Sequence, residues 1–321
     1  MKRRDFVRST IGASLINPFE KAAQPAVTHI ESEDLTGRGI VDDNYALHFM
    51  ALGDWGRNGE FLQQEVGKQM GQWAGQHRNN FVISVGDNFY PRGVVSEHDP
   101  LWHYSFENVY TAYALQCDWY AILGNHDYLT DPDAQIRYSG ISRRWKMPSR
   151  YYSKEIQIGK EKGKVLFVMI DTNPMIDDEL KIDADKQIAW INETLKNASA
   201  DVKWKIVVGH HPYYTVGPRI TNYDTLAIRE KLTKTFEEHK VDVYLSGHEH
   251  SLQHLKPEGY THQFISGAGS ELSPVKTGVA YSRFQASENG FMYFSMDSKR
   301  LNVKAISHTG KMLYETELTK A

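Results

Sequence analysis

The stretch ISVGDNFYPRG (residues 83–93) places an aspartate and a tyrosine three positions apart, just beyond an apolar segment. Residues 81–85 (FVISV) are typical of a buried strand, and the glycine- and proline-containing residues after them are typical of a loop. Enzymes often carry catalytic residues on loops at the carboxyl ends of strands. Taken alone, Asp87 and Tyr90 also fit a simpler interpretation: an aspartate that accepts hydrogen bonds from backbone amides, and a half-buried tyrosine.

Similar apolar runs recur along the chain and end in glycine or a polar cluster. They predict strands within residues 46–54, 81–87, 119–127, 165–172, 204–212, 241–250, 262–270, 291–297 and 301–307. Apolar side chains recur at three- and four-residue steps, the spacing of an amphipathic helix, in residues 60–76, 184–198 and 224–239. This alternation predicts an α/β fold, and the helix-poor part from about residue 262 predicts antiparallel strands that complete the sheets. No linker or internal repeat divides the sequence, so we expect one domain over residues 40–321.

The composition is that of a globular protein, since 40% of the 321 residues are hydrophobic and 24% are charged. The formal net charge of -3 gives no overall basic field for nucleic acid or an anionic membrane surface. The single cysteine, Cys117, excludes an intramolecular disulfide and a cysteine-rich zinc site, and we expect it to be a small core residue. No stretch approaches the ~20 apolar residues that a membrane span requires, and we expect a monomer.

The first thirty or so residues differ from the rest. Arg3 and Arg4 precede Phe6 and a short run of small and apolar residues, a pattern that resembles a twin-arginine export signal. We therefore expect an export signal in residues 1–30 and a periplasmic or extracellular mature protein. A basic tail with no targeting role is the alternative.

At least five apolar runs end in residue types that bind metals. These are Asp54 in GDWG, Asp87 and Tyr90 in GDNFY, Asn125 and His126 in GNHD, His210 in GHHP, and His248 and His250 in GHEH. Parallel strands bring their carboxyl ends to one edge of a sheet, so these side chains can converge. A lone histidine after a strand is more often a hydrogen-bonded residue than a ligand, but the combination indicates a metal site. The mixture of donors favours iron, manganese or zinc, and their number favours two ions bridged by a carboxylate such as Asp87.

These five blocks, in this order, resemble those of the purple acid phosphatases within the metallophosphoesterase superfamily. The resemblance extends between the blocks, where three segments are similar to the small tartrate-resistant acid phosphatases: residues 143–153, 185–212 and 247–270. It covers most of residues 45–300. The resemblance implies a four-layer α/β/β/α sandwich of two mixed sheets flanked by helices. It also implies a dinuclear acid phosphatase that hydrolyses phosphomonoesters and releases inorganic phosphate.

The resemblance also implies a ligand set. Most metallophosphoesterases carry Asp-x-His in the first block, but Gly56 stands at the histidine position here, and Tyr90 replaces the missing ligand. By the family pattern, Fe(III) would be bound by Asp54, Asp87, Tyr90 and His250. A second, divalent ion (iron, zinc or manganese) would be bound by Asp87, Asn125, His210 and His248.

In the implied mechanism a metal-bound hydroxide attacks phosphorus. His126 would hold the substrate or protonate the leaving group, unless it is a structural histidine paired with Asp127. The small relatives carry another histidine about nine positions beyond the ligand in the GHxP block, but Arg219 stands there in this chain. His211 could take the role of proton donor, and Arg219 could clamp phosphate instead.

Three other functions remain open at this point. One is a phosphodiesterase of the same fold, and another is a redox-active di-iron protein that generates reactive oxygen species. The third is a non-catalytic binding protein with a retained metal site, although the presence of a ligand in every block argues against decay. The remaining histidines singled out in the sequence, which we interpret as structural, are His239, His254 and His262.

Overall fold

The computed structural model describes residues 44–160 and 163–320. The predicted export signal in residues 1–30 lies outside the described residues. The strands are β1 (Leu47–Leu52), β2 (Phe81–Ser84), β3 (Asp118–Ala121), β4 (Trp145–Lys146), β5 (Tyr152–Gln157), β6 (Lys164–Met169), β7 (Val202–Val208), β8 (Val243–Ser246), β9 (Leu252–Leu255), β10 (His262–Ser266), β11 (Ser282–Ala286), β12 (Gly290–Met296), β13 (Arg300–Ser307) and β14 (Met312–Thr319). The α-helices are α1 (Gln63–Gln76), α2 (Asp133–Tyr138), α3 (Ala184–Lys196) and α4 (Tyr223–His239).

The strands form two mixed seven-stranded sheets. The first has the order β14-β13-β12-β1-β2-β3-β4, and the second has the order β11-β9-β10-β8-β7-β6-β5. In the first sheet β1, β2, β3 and β4 are parallel neighbours, whereas β12, β13 and β14 are antiparallel. In the second sheet β6, β7, β8 and β10 are parallel neighbours.

Each central strand buries both of its faces. In β1, Phe49 and Ala51 belong to the core between the sheets, while Met50 and Leu52 belong to an outer core shared with α1. The Phe49 ring meets Phe167 of the second sheet edge to face at 5.4 Å between ring centroids. A third core packs α3 and α4 against the other face of the second sheet. Burial on both faces explains why these strands are continuous apolar runs in the sequence.

The four-layer α/β/β/α prediction is therefore confirmed, as are all of the predicted strands and helices. The sequence analysis missed β9, the short helix α2 and all four edge strands: β4, β5, β11 and β14. Edge strands are half exposed, so their sequences lack a continuous apolar run, as YSKEIQ in β5 illustrates. The expected antiparallel ending holds for β11 to β14 but is wrong for β10, which pairs in parallel with β8 because β9 reverses the chain between them.

The residues interpreted as structural lie in ordinary packing environments. Cys117 is half buried at the edge of the outer core next to α1. His239 Nε2 lies 3.0 Å from the Asn192 side-chain oxygen, and His254 and His262 contact each other at 3.0 Å. Within the described part of the chain, none of the helices combines the length and the apolar character needed to cross a bilayer.

Candidate metal centre

The predicted ligands lie on five loops, each of which follows a strand with parallel neighbours. The loops after β1, β2 and β3 belong to the first sheet, and those after β7 and β8 belong to the second. The two groups of loops meet directly, because the backbone N–H of His248 donates to the Asp54 carboxylate at 3.0 Å. Residues nearly two hundred positions apart in the chain are thus brought together, as the sequence predicted.

The first cluster of donor atoms surrounds the Tyr90 hydroxyl. This oxygen lies 2.9 Å from Oδ2 of Asp87 and 3.2 Å from Oδ1 of Asp54. It also lies 3.1 Å from Nε2 of His250, which is itself 3.5 Å from Asp54 Oδ1. Neighbouring ligand atoms around one ion with bonds of ~2.1 Å are separated by about 3 Å. These four residues can therefore hold a single ion.

The second cluster surrounds Nε2 of His210. This nitrogen lies 3.3 Å from the Asn125 side-chain oxygen and 3.3 Å from Nδ1 of His248. Oδ2 of Asp87 is 3.4 Å away from it. The same carboxylate oxygen therefore faces both the Tyr90 hydroxyl and His210 Nε2, which is the position of a bridging ligand.

Hydrogen bonds outside the second cluster fix the tautomers of its two imidazoles. His210 Nδ1 lies 2.9 Å from the Val85 carbonyl, so Nδ1 carries the proton and donates. His248 Nε2 lies 2.7 Å from Oδ2 of Asp224, so Nε2 is the donor there. The remaining nitrogens, His210 Nε2 and His248 Nδ1, then point lone pairs at each other across 3.3 Å. A cation between them converts this repulsion into ligation, so the donor set fits a metal ion.

Burial dominates the electrostatics of the first cluster. Burial raises the pKa of Asp54 to about 8, and burial with the charge of Asp87 raises the pKa of Tyr90 well above its usual value. Burial opposes ionisation of Asp87 as well, but positive charge next to it holds the pKa of that carboxyl well below its usual range; a protonated His210 supplies this charge when no metal ion does. Buried carboxylates and phenolates stay ionised when cations neutralise them, so this cluster too has the chemistry of a metal site.

Three of the predicted ligands have left-handed backbone conformations: Asp54 (φ 58), Asp87 (φ 48) and His248 (φ 67). Such conformations are costly for residues other than glycine and concentrate at functional sites, where the surrounding structure maintains them. The first block is also tightly packed at Gly56, since a Cβ atom there would lie 1.9 Å from the backbone oxygen of Asn88. No side chain fits at this position, which accounts for the missing histidine.

His126 lies beside the first cluster. Its backbone N–H donates to Asp87 Oδ1 at 2.8 Å, and its ring lies 4.4 Å from the Tyr90 ring between centroids. His126 Nδ1 is 2.8 Å from the Pro91 carbonyl and donates to it. The Asp127 carboxylate accepts instead from Gly124, Asn88 and Gln135. The alternative pairing of His126 with Asp127 is therefore wrong, and His126 Nε2 is left for other partners.

His211 lies next to the second cluster. Its Nδ1 is 2.8 Å from the Thr172 hydroxyl, and its ring is 4.3 Å from that of His248 between centroids. Nitrogens of His210, His211 and His248 lie within 4.8 Å of one another. Burial lowers the pKa of His211 well below its usual value, which opposes a role as a proton donor.

Arg219 lies close to two carboxylates but outside hydrogen-bonding distance of both. Its Nη1 is 3.7 Å from Glu249 Oε2, and its Nε is 4.0 Å from Asp224 Oδ2. Its side chain is 31% exposed. Among the described residues, its guanidinium group donates no hydrogen bond, so these donors are free to bind an anion.

The sequence analysis missed two residues that contact the predicted ligands. Asp224 lies in the first turn of α4, which the sequence predicted as a helix. Acidic residues are common in the first turn because they interact favourably with the helix dipole. Arg57 follows the GDWG block, and its guanidinium carbon lies 3.8 Å from the centre of the Tyr90 ring. Arg57 also pairs with Glu271 at 2.5 Å. Nothing in the local sequence pattern distinguishes either residue from a surface charge.

Residues 47–252 match the family described as calcineurin-like phosphoesterase. Purple acid phosphatase 17 of Arabidopsis thaliana is 36% identical over 269 residues, which cover 77% of this chain and 77% of that protein. Tartrate-resistant acid phosphatase type 5 of Oryctolagus cuniculus is 33% identical over 307 residues, which cover 85% of this chain and 91% of that protein.

Among solved structures, GAP50 of Plasmodium, described as the anchor in the inner membrane complex, is similar in fold. The TM-score is 0.76 at 23% sequence identity, and the match covers 86% of this chain and 89% of that chain. At this identity the similarity concerns the fold alone. The relatives with higher identity are phosphatases.

Proposed function

Because the chain belongs to the calcineurin-like phosphoesterases and, among them, to the purple acid phosphatases, we propose that it is a dinuclear-metal acid phosphatase that hydrolyses phosphomonoesters. The observation that carries this proposal is the shared carboxylate of Asp87. Its Oδ2 lies 2.9 Å from the Tyr90 hydroxyl in one donor cluster and 3.4 Å from His210 Nε2 in the other. Two adjacent clusters with a common carboxylate are the arrangement that a metal pair needs for phosphoryl transfer.

The two clusters define which residues would hold each ion. The first ion, which we propose to be Fe(III), would be bound by Asp54, Asp87, Tyr90 and His250. The second ion, which we propose to be divalent iron, zinc or manganese, would be bound by Asp87, Asn125, His210 and His248. When bound, such ions acidify water to give a nucleophile and neutralise the charge that develops on the phosphoryl group.

The side chains around these clusters would bind the substrate and move its proton. His126 donates from Nδ1 to the Pro91 carbonyl, so a proton on its Nε2 is the one that it can deliver to a leaving-group oxygen. Arg219 has unused donors and partial exposure, which suit it to a phosphate oxygen. His211 is buried against Thr172, and we assign it the role of supporting the second cluster.

The test combines metal analysis with a substrate panel. The purified protein is analysed for iron, zinc and manganese, and its turnover is measured on p-nitrophenyl phosphate, alkyl phosphomonoesters and bis(p-nitrophenyl) phosphate at pH 4 to 8. We expect about two metal equivalents and faster turnover of the monoesters. Faster turnover of the diester would replace the proposal with a phosphodiesterase, and full metal content without turnover would favour a binding protein.

Two variants test whether the metals bind at these two clusters. Asp87→Asn should lower the content of both metals, because a bridging carboxylate serves both ions. Asn125→Ala should lower mainly the content of the second metal, because this amide faces only His210. Retention of two tightly bound metals and near-normal turnover in Asp87→Asn would rule out the bridging role.

A further inference from the structure

Asp224 connects helix α4 to the second donor cluster. It lies in the first turn of α4, and its Oδ2 accepts a hydrogen bond of 2.7 Å from Nε2 of His248. Both side chains are largely buried, with exposed fractions of 18% for Asp224 and 8% for His248. A charged hydrogen bond in such an environment is strong and directional, so it holds the imidazole in one orientation.

This hydrogen bond determines which nitrogen of His248 can bind a metal. A neutral imidazole has one N–H and one lone pair, and Asp224 requires the N–H on Nε2. The lone pair is then on Nδ1, which lies 3.3 Å from His210 Nε2 inside the second cluster. Carboxylates that orient a metal-binding histidine in this way also raise its basicity as a ligand.

The same carboxylate oxygen also faces Arg219. The distance from Arg219 Nε to Asp224 Oδ2 is 4.0 Å, and Arg219 Nη1 lies 3.7 Å from Glu249 Oε2. Glu249 is fully buried, and this oxygen has no hydrogen-bond partner among the described residues. Gly217 makes the room for it, since a Cβ atom there would lie 2.1 Å from Glu249 Oε2. The guanidinium of Arg219 therefore lies within ion-pair distance of two carboxylates, one of which also orients His248.

We propose that Asp224 is a positioning residue that serves two groups at once: it presents Nδ1 of His248 to the second metal ion, and it holds Arg219 where a phosphate oxygen binds. This inference rests on the proposed function and adds to it a residue outside the five blocks. It predicts that binding of the second metal and binding of substrate are coupled through one side chain.

The first experiment measures metal retention in Asp224→Ala and Asp224→Asn. Each purified protein is dialysed against increasing concentrations of a chelator, and the remaining metal is counted by elemental analysis. For Asp224→Ala we expect the second metal to be lost at a chelator concentration about 10- to 100-fold lower than for the wild type. The first metal should be retained as in the wild type. Asp224→Asn should lie between the two, because its amide oxygen still accepts the hydrogen bond but carries no charge.

Asp183→Ala is the matched control for Asp224→Ala. Asp183 caps the start of α3, where its side chain accepts from the Lys186 backbone N–H, and it does not contact the metal clusters. Its loss should lower the melting temperature without changing metal retention. If Asp224→Ala behaves like Asp183→Ala, with a lower melting temperature and unchanged retention of the second metal, Asp224 is only a helix residue and the inference is wrong.

Kinetics test the second half of the inference. In Asp224→Asn, with excess metal present, KM for p-nitrophenyl phosphate should rise several-fold with a smaller change in kcat, and Arg219→Ala should show the same pattern. An unchanged KM in Asp224→Asn would show that Asp224 does not hold Arg219 for substrate binding.

A third measurement does not depend on activity. Nitrogen-15 spectra of the histidine side chains should show His248 as the Nε2–H tautomer in the wild type and a changed signal in Asp224→Ala. If the protein binds both metals but has no phosphatase activity, the proposed function fails, and this measurement still decides whether Asp224 orients His248. A His248 that carries its proton on Nδ1 in the wild type would overturn it.

Discussion

The Tyr90 hydroxyl lies 2.9 Å from Oδ2 of Asp87, three residues earlier in the same loop. A phenol and a carboxylate compete for negative charge at this distance, and burial already raises the pKa of Tyr90 well above its usual value. A highly charged cation is the group that allows both to be ionised side by side. The short spacing in GDNFY is thus a reason to expect a trivalent ion in the first cluster.

Tyr90→Phe tests this expectation through colour. If Tyr90 is a phenolate ligand of Fe(III), the oxidised wild-type protein should be purple or pink, and the variant should lose the visible absorption band. We expect iron content to fall less than the absorbance, because the other ligands of the first cluster remain. Visible spectra and iron analysis of the same samples provide the measurement. A colourless wild type filled with zinc or manganese and free of iron would refute the iron assignment.

His126→Ala tests proton delivery to the leaving group. General acids contribute roughly 10²–10⁴-fold to rates, and they matter most when the leaving group departs poorly as an anion. We therefore expect turnover of an alkyl phosphate to fall about 100-fold or more. Turnover of p-nitrophenyl phosphate should fall much less, because its leaving group needs no proton. His98→Ala, at an exposed histidine, is the control. Equal losses on both substrates would mean that His126 positions phosphate or metal and does not deliver a proton.

A pH-dependent contribution to stability is expected from His254 in β9. Burial, the neighbouring His262 and the positive charges of Arg283 and Lys256 together lower the pKa of His254 to about 3. Burial and the same two positive charges lower the pKa of His262 to about 4. His254 contacts Tyr314 at 2.9 Å and His262 at 3.0 Å, and it stacks on Phe264. The folded state therefore resists protonation at pH values where the unfolded chain, with an ordinary histidine pKa, takes up protons.

The linkage between proton binding and folding determines whether stability rises or falls with pH. Between the unfolded pKa of about 6.5 and the folded pKa, the unfolded state binds more protons, so stability falls as the pH falls. For His254 the loss from pH 7 to pH 4 should be on the order of 3 kcal/mol. His254→Gln should flatten this part of the melting-temperature profile relative to the wild type. Parallel profiles of His254→Gln and the wild type would show that His254 does not contribute.

Export is proposed from Arg3 and Arg4, which precede Phe6 and a short run of small and apolar residues, and it suits a protein that would acquire its metals before crossing a membrane. Fractionation of the native host should find the activity outside the cytoplasm, and the double variant Arg3→Lys with Arg4→Lys should retain it inside. Activity confined to the cytoplasm of the wild type, or export that is unaffected by the double variant, would exclude the idea.

Much of the fold, and the convergence of the polar residues that end the apolar runs, could be predicted from the sequence because both depend on local patterns. Strands buried on both faces give continuous apolar runs, and glycine-bounded loops mark their ends. Edge strands such as β14 were not predicted because one face is exposed and carries polar residues. Asp224 was not predicted for a different reason. It lies in a helix and contacts His248 in a loop 24 positions later, and only the packing of α4 against the second sheet brings the two residues together.

The absence of space at Gly56 bears on how such a centre could be redesigned. A Cβ atom there would collide with the backbone of Asn88 and Phe89, the residues that lead into Tyr90. Replacing Gly56 with histidine and Tyr90 with a non-ligating residue would therefore not recreate the imidazole version of the site, because the main chain of one loop occupies the volume that the other would need. Interconversion of the two versions requires the loops after β1 and β2 to be exchanged together. A chimera that transplants both loops as a unit avoids the collision at Gly56 that the two single substitutions leave in place.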